Sequence, residues 1–376
     1  MRRIVIFIGF LLLSLVIATS TIAQAATCSD VVNKALQDLS STCENMQRNS
    51  ACYGFNHVMA TFADSLTPSV FNQPNDRVDL ASLQSITTSP LDVQTSQWGI
   101  AVMKVQANIP DALPGQAVTF LLFGDVHLQT GVTAGSGEKP MQAVYFTTGI
   151  GDTKCTDAPS SSLIIQGPKN LTVDLSVNGA KVKFGSTLIF RSTPNSSMSC
   201  GVLDGEALVG PDQTRIPNGF AARVPLDSSL NANGDWGTNQ TISDQDADQL
   251  QVLKDLPPGI LSYTPDVPTS QEVNIMGALD AKLVLALDPH VMRDLVHILI
   301  AEGATAEGVA IWDVPTLRAF VANNASKYTQ TATETPSETG TSAATTQPEA
   351  TEPPSPTATL QGVLNALDTY IAQQAS

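Results

Sequence analysis

The sequence predicts an α+β protein: a disulfide-stapled N-terminal helical hairpin, an antiparallel β-sandwich or β-roll, and a small C-terminal helical bundle. Three observations carry this prediction. Apolar residues recur at helical spacing from Val31 to Leu39 and again from Val291 to Leu299. Short apolar runs bounded by turn residues fill 98–227. Asn178-Gly179 lies between two alternating segments, a strong short-range hairpin signal.

Residues 1–25 come first. Met1-Arg2-Arg3 precedes an apolar run from Ile4 to Ala18, and Ala23-Gln24-Ala25 follows. This is the grammar of a secretory signal peptide. The run is about 15 residues, short of the ~20 that a spanning helix needs. Thr27 before Cys28 does not suit lipidation, whose enzyme wants Gly, Ala or Ser there. No later stretch approaches spanning length, so a soluble protein outside the cytoplasm is expected, secreted or periplasmic. In that compartment disulfides persist.

Residues 26–70 are read as the Cys-rich helical hairpin. Val31, Val32, Ala35, Leu36 and Leu39 form one stripe, and Phe55, Met59, Phe62 and Leu66 a second. A helix over 29–42 holds Cys28 and Cys43 about 22 Å apart at 1.5 Å per residue, beyond the ~7 Å that a disulfide tolerates. The hairpin instead brings Cys43 to Cys52. Cys155 and Cys200 are the expected second pair, leaving Cys28 over. Zinc would need paired Cys or His at short spacing and a redox centre Cys-x-x-Cys; the chain has neither. No metal or cofactor is expected.

The chain carries 35 Asp+Glu against 19 Lys+Arg, a net charge of −16. Removing Arg2 and Arg3 with the leader leaves 35 − 17, near −18. Such acidity disfavours nucleic acid or an anionic membrane as partner.

Residues 71–151 form a β-rich region after a polar loop over 71–97. "WGIAVMKVQ" is apolar on both faces, as a strand covered on both sides must be. "AVTFLLFGDVHLQTG" repeats this, with Gly124-Asp125 as a break or bulge, and "MQAVYFTTGIG" makes a third strand. Within 152–230 the hairpin about Asn178-Gly179 sets Leu171, Val173, Leu175 and Val177 against Ala180, Val182 and Phe184. Further hairpins are expected about Asp204-Gly205 and Asn218-Gly219.

The order "GSTLIFRS…MSCGVLDGEALVG…QTRIPNGFAARVPLD" resembles the extracytoplasmic FecR-like β-domain, over about residues 161–227. Val202, Leu203, Gly205, Ala207, Val209, Gly219 and Val224 carry the match. The resemblance implies a β-sandwich or β-roll serving as a sensor or interaction module. The regulatory partners of that family do not carry over, because no transmembrane helix is seen through which to signal. The whole arrangement also resembles a family of uncharacterised secreted bacterial proteins.

Residues 231–327 are expected to be mainly helical. Asp235, Asp244, Asp246 and Asp248 invite a calcium reading, but the spacing of a calcium loop is not met. Ser243 ahead of Asp244 and Asp246 suits a helix start better. Asp288 with Pro289 starts another helix, which Gly303 ends. His290 and His297 stand two turns apart, about 10.5 Å along a helix and too far for one ion; solvent-side roles are expected for them. The Thr/Pro-rich tract 328–359 reads as a disordered linker. Residues 360–376 then form an amphipathic helix, placed there for a partner or for self-association.

No Gly-x-Ser-x-Gly elbow, His-Glu-x-x-His or phosphate loop occurs. Asp125 beside His127 is the one local acid/base pair at a strand end. The expected function is a non-catalytic, secreted multidomain interaction or sensing module, with an envelope or extracellular protein or glycan as partner. The alternative is a secreted hydrolase with a carboxylate or His/Asp site in the β-region.

Overall fold

The computed structural model describes residues 27–63, 71–106, 116–132, 139–149, 155–169, 171–324 and 356–375. The expected signal peptide, and the tract up to residue 355, lie outside them.

Helix α1 (Cys28–Thr42) opens the described chain. Thr27 and Asp30 form a reciprocal capping box that satisfies the first free N–H groups. Among the described residues the second half of the expected helical hairpin is not helical; Leu66 of its stripe lies outside them. Residues 50–62 form strands β1 (Ser50–Phe55) and β2 (Val58–Phe62). Met59 of the expected apolar stripe is 65% exposed, whereas Val58 is buried. The residues alternate as a strand does, and His57 turns the chain at φ 60°. The polar stretch read as loop holds β3 (Arg77–Asp79) and β4 (Leu83–Thr88).

The remaining strands are β5 (Ile100–Val105), β6 (Val118–Phe123), β7 (Val126–Thr130), β8 (Ala143–Thr148), β9 (Ser162–Gln166), β10 (Val173–Val177), β11 (Ala180–Phe184) and β12 (Thr187–Thr193). They continue with β13 (Ser197–Asp204), β14 (Glu206–Val209), β15 (Thr214–Pro217), β16 (Phe220–Pro225) and β17 (Gln240–Thr241). They build two sheets. One has nine strands, ordered β17-β16-β13-β12-β9-β6-β5-β1-β3. The other has eight, ordered β15-β14-β11-β10-β8-β7-β4-β2. Among the strands described, neighbours pair antiparallel except β8 with β10. Both sheets run through the regions 71–151 and 152–230, so the two share one sandwich.

The winding repeats. From β1, in the nine-stranded sheet, the chain places β2 and β4 in the other sheet, returns for β5 and β6, then crosses for β7 and β8. From β9 it does the same with β10–β11, β12–β13 and β14–β15. The neighbour order β1-β5-β6-β9 matches β9-β12-β13-β16. Gly124 and Gly205 occupy the same corner of the two halves, at φ +74° and +79°. Gly124-Asp125, Asp204-Gly205 and Asn218-Gly219 are therefore corners where the chain changes sheet, not bulges or hairpins within one. Asn178-Gly179 does close a hairpin: Val177 pairs with Ala180, and φ is 48° and 73°.

The core has two layers. Between the sheets lie Ala101, Met103, Phe120, Leu122, Phe146, Val182 and Phe190. On the outer face of the nine-stranded sheet, Ile100, Val102, Leu121 and Phe123 pack against Val31, Val32, Ala35 and Leu39 of α1. This second layer is why β5 and β6 are apolar on both faces.

Two disulfides fix α1 on that face. Cys43 is bonded to Cys52, with Cα atoms 5.8 Å apart. Cys28 is bonded to Cys155 at 5.6 Å. The expected Cys155–Cys200 pair does not exist. Cys200 faces the layer between the sheets and Cys155 the layer under α1, on opposite sides of one sheet. Cys200 is a free, buried thiol.

The C-terminal helices are α2 (Asp244–Gln249), α3 (Ser270–Ala278), α4 (Ala281–Ala286), α5 (Pro289–Ala301), α6 (Ala306–Ala310), α7 (Val314–Asn324) and α8 (Pro356–Gln374). Ser243 caps α2, and Asp288 with Pro289 starts α5. Helix α8 begins at Pro356, inside the tract read as linker. It packs on α5 and α7 and buries Val363, Leu367 and Tyr370. Arg318 pairs with Asp368 at 2.9 Å. The expected tethered element is thus seated on the chain's own helices, which offer an apolar seat through Leu295, Leu299 and Val321.

Candidate functional site

The two sheets differ in what covers them. Helix α1 and residues 244–267 cover much of the nine-stranded sheet. The strands β10, β11 and β14 of the other sheet alternate a buried residue with an exposed or half-buried one. Their outward side chains come from the register. Asp174 stands opposite Lys183, and Lys183 opposite Leu208. Lys181 and Ser176 form the next row.

A groove of about 870 Å³ runs over these rows. Its walls come from Gln142 on one side and from Pro211, Gln213 and Trp236 on the other. Trp236 is half-buried and packs beside Gly210. A Cβ on Gly210 would come within 2.9 Å of the indole Cδ1, so the bare backbone makes room for the ring. At the edge, Glu206 holds Arg215 at 2.6 Å, while Arg215 donates to the carbonyls of Leu285 and Leu287 at the C-terminal end of α4. The groove therefore combines an aromatic plate, apolar carbons and charges of both signs on a rigid sheet.

A second cleft of about 790 Å³ lies on the outer face of the nine-stranded sheet beside α2. Arg191 and Arg223 line it. Arg191 makes a two-pronged pair with Asp246, at 2.7 and 2.9 Å. Asp246, a member of the calcium-like run, thus has a guanidinium partner, and Asp244 stands exposed at the helix start. Among the described residues no cluster of three His, Cys, Asp or Glu is arranged to hold a metal ion.

The pair Asp125 and His127 is not brought together. His127 Nδ1 lies 2.8 Å from Thr87 Oγ1, and the N–H of Asp125 donates to Ser161 Oγ. Both side chains stand exposed.

His297 has a partner rather than a solvent-side role. Its Nε2 lies 2.6 Å from Glu272 Oε1, across the α3–α5 contact. Arg293 joins the same knot, 2.6 Å from Asp266 and 3.7 Å from Glu272. Burial opposes ionisation of Glu272. The hydrogen bonds from His297 and the Thr269 N–H, with the charge of Arg293, outweigh it and hold the carboxyl near 2. Asp204, at the Gly205 corner, is pushed up by burial. His290 contributes its N–H to the Asp288 cap.

Sequence reasoning missed Trp236 and Lys104. Trp236 sits in a polar loop with no periodicity to mark it. Lys104 did carry a signal: it falls on the face of Ile100 and Val102 in an otherwise apolar strand.

No family model matches the chain, and no curated protein matches it. Two crystal structures of a "putative anti-sigma factor" from Parabacteroides distasonis ATCC 8503 align with it, each at a TM-score of 0.23. The identities are 12% and 13%, over 38% and 37% of this chain. The chain spans about three fifths of those structures, 60% and 59% of their length. Among the described residues no helix is long and apolar enough to cross a membrane.

Proposed function

We propose that the chain is a non-catalytic interaction module that works outside the cytoplasm and binds its partner in the groove over β10, β11 and β14. The observation that carries this reading is the uncovered outer face of the eight-stranded sheet, furnished with Trp236, Leu208, Lys181, Lys183 and Asp174. An indole beside charges of both signs suits a polar polymer of the envelope, a glycan or an extended protein segment. Two disulfides favour an oxidising compartment. The net charge of −16 disfavours nucleic acid.

The test is binding of the purified disulfide-bonded chain to arrayed envelope glycans and to envelope proteins, beside a broad hydrolase panel. Trp236→Ala is expected to weaken the interaction about tenfold or more, as removing an aromatic anchor does. Lys181→Glu with Lys183→Glu should weaken it in proportion to the salt dependence. Turnover of a panel substrate that Asp125→Asn abolishes would overturn the reading in favour of hydrolysis.

A further inference from the structure

A polar row crosses the covered face of the nine-stranded sheet. Lys104 on β5 stands opposite Thr119 on β6, Thr119 opposite Gln166 on β9, and Gln166 opposite Thr187 on β12. Thr119, Gln166 and Thr187 are fully buried, and Lys104 is only 9% exposed. The segment 260–263 is strapped across this row. Lys104 Nζ donates to the Ile260 carbonyl at 2.7 Å and to Thr119 Oγ1 at 2.9 Å. Gln166 accepts from the Ser262 N–H at 2.7 Å and donates to the Tyr263 carbonyl at 3.0 Å.

At the Lys104 end the strap leaves a cavity of about 450 Å³. Its lining includes Lys104, Arg48 and Lys169, with Asn45, Gln116 and Ser262. Among the described residues that line it there is no carboxylate. Three basic residues line this one cavity in a chain whose acidic residues outnumber its basic ones, 35 to 19. The ammonium of Lys104 has three N–H groups, and two are used by the row and the strap. Holding a lysine this deep costs free energy unless something compensates its charge.

We infer that this cavity is a binding site for a small oxyanion-bearing molecule, phosphorylated or polycarboxylated, with Lys104 at its floor and Arg48 and Lys169 at its rim. Arginine suits the planar face of the oxyanion, and the two lysines act as point charges. The site lies on the other sheet from the groove over β10, β11 and β14 and does not depend on it.

The lysine itself supplies an independent readout. Burial pulls Lys104 down to about 8, so near pH 8 about half of it is the reactive free amine. A bound anion favours the charged form. A rise of one unit would slow acylation of Lys104 about fivefold at pH 8.

The experiment titrates the full chain with inorganic phosphate and, separately, citrate by calorimetry. In parallel, acylation of Lys104 is followed by peptide mass spectrometry. Saturable heat with either probe, with slower labelling of Lys104 in its presence, is the expected result; which probe binds tells phosphate from polycarboxylate. Arg48→Glu with Lys169→Glu, both exposed positions, should weaken binding at least about tenfold while the protein stays folded. Lys104→Met should abolish it, and Lys104→Arg should retain part. No saturable binding, binding indifferent to the rim charges, or labelling that neither anion slows would each overturn the site and leave Lys104 as an anchor for the strap.

Discussion

Breaking the Cys28–Cys155 bridge should destabilise the protein more than breaking Cys43–Cys52. The longer bridge closes a separation of 127 residues, the shorter one of 9. In the chain-entropy model these closures contribute about 5 and about 2.7 kcal/mol. The inner bridge shortens the outer loop by only nine residues, so the difference of roughly 2 kcal/mol persists when both are present. Each bridge holds one end of α1, and Val31, Val32, Ala35 and Leu39 keep that helix seated in either variant. The comparison is Cys28→Ala/Cys155→Ala against Cys43→Ala/Cys52→Ala, by urea unfolding under non-reducing conditions. The first variant should also show the steeper denaturant dependence, because its unfolded chain expands more. Equal losses, or a larger loss from the Cys43–Cys52 variant, would refute the argument. So would peptide mapping that joins Cys155 to Cys200.

Other outcomes are expected. Gly179→Val places a β-branched residue at φ +73° with its Cβ 3.1 Å from Asn231 Oδ1; it should cost about 1–3 kcal/mol in unfolding free energy. Glu272 ionises near 2 when folded against an ordinary 4.5, so its contribution is complete above pH 4.5 and lost as pH falls toward 2. Thermal melts of Glu272→Gln should therefore converge with the parent's across that window and diverge above it. Leu367→Ala empties a fully buried position between α8 and its seat and should cost about 2–5 kcal/mol by denaturant unfolding. If α8 served only a partner, that variant would melt with the parent.

Much of the local structure was legible in the sequence, because it is fixed by neighbours a few residues apart. The stripe from Val31 to Leu39 could only be a helix with one buried face. Asn178-Gly179 could only be a tight hairpin, since both residues must take positive φ. Ser243 and Asp288 announced helix starts through the hydrogen bonds their side chains make. The apolar faces of β5 and β6 announced cover on both sides.

What lay beyond the sequence depended on contacts between distant segments. Gly205 turns the chain whether the next strand joins the same sheet or the other, and only the stacking of two sheets chose the corner. The stripe through Phe55, Met59 and Phe62 fits a helix on paper. The strands won because β1 found partners in β3 and β5, and β2 found one in β4. Cysteine spacing reaches no further than a short loop. The meeting of Cys28 with Cys155, and the burial of Cys200 on the opposite face, follow from which side of a nine-stranded sheet each residue occupies. The groove beside Trp236 and the cavity above Lys104 have the same origin. Their residues are scattered from Asn45 to Ser262 and become neighbours only when the sandwich closes, because side-chain direction in a sheet is set by register and register by the whole fold.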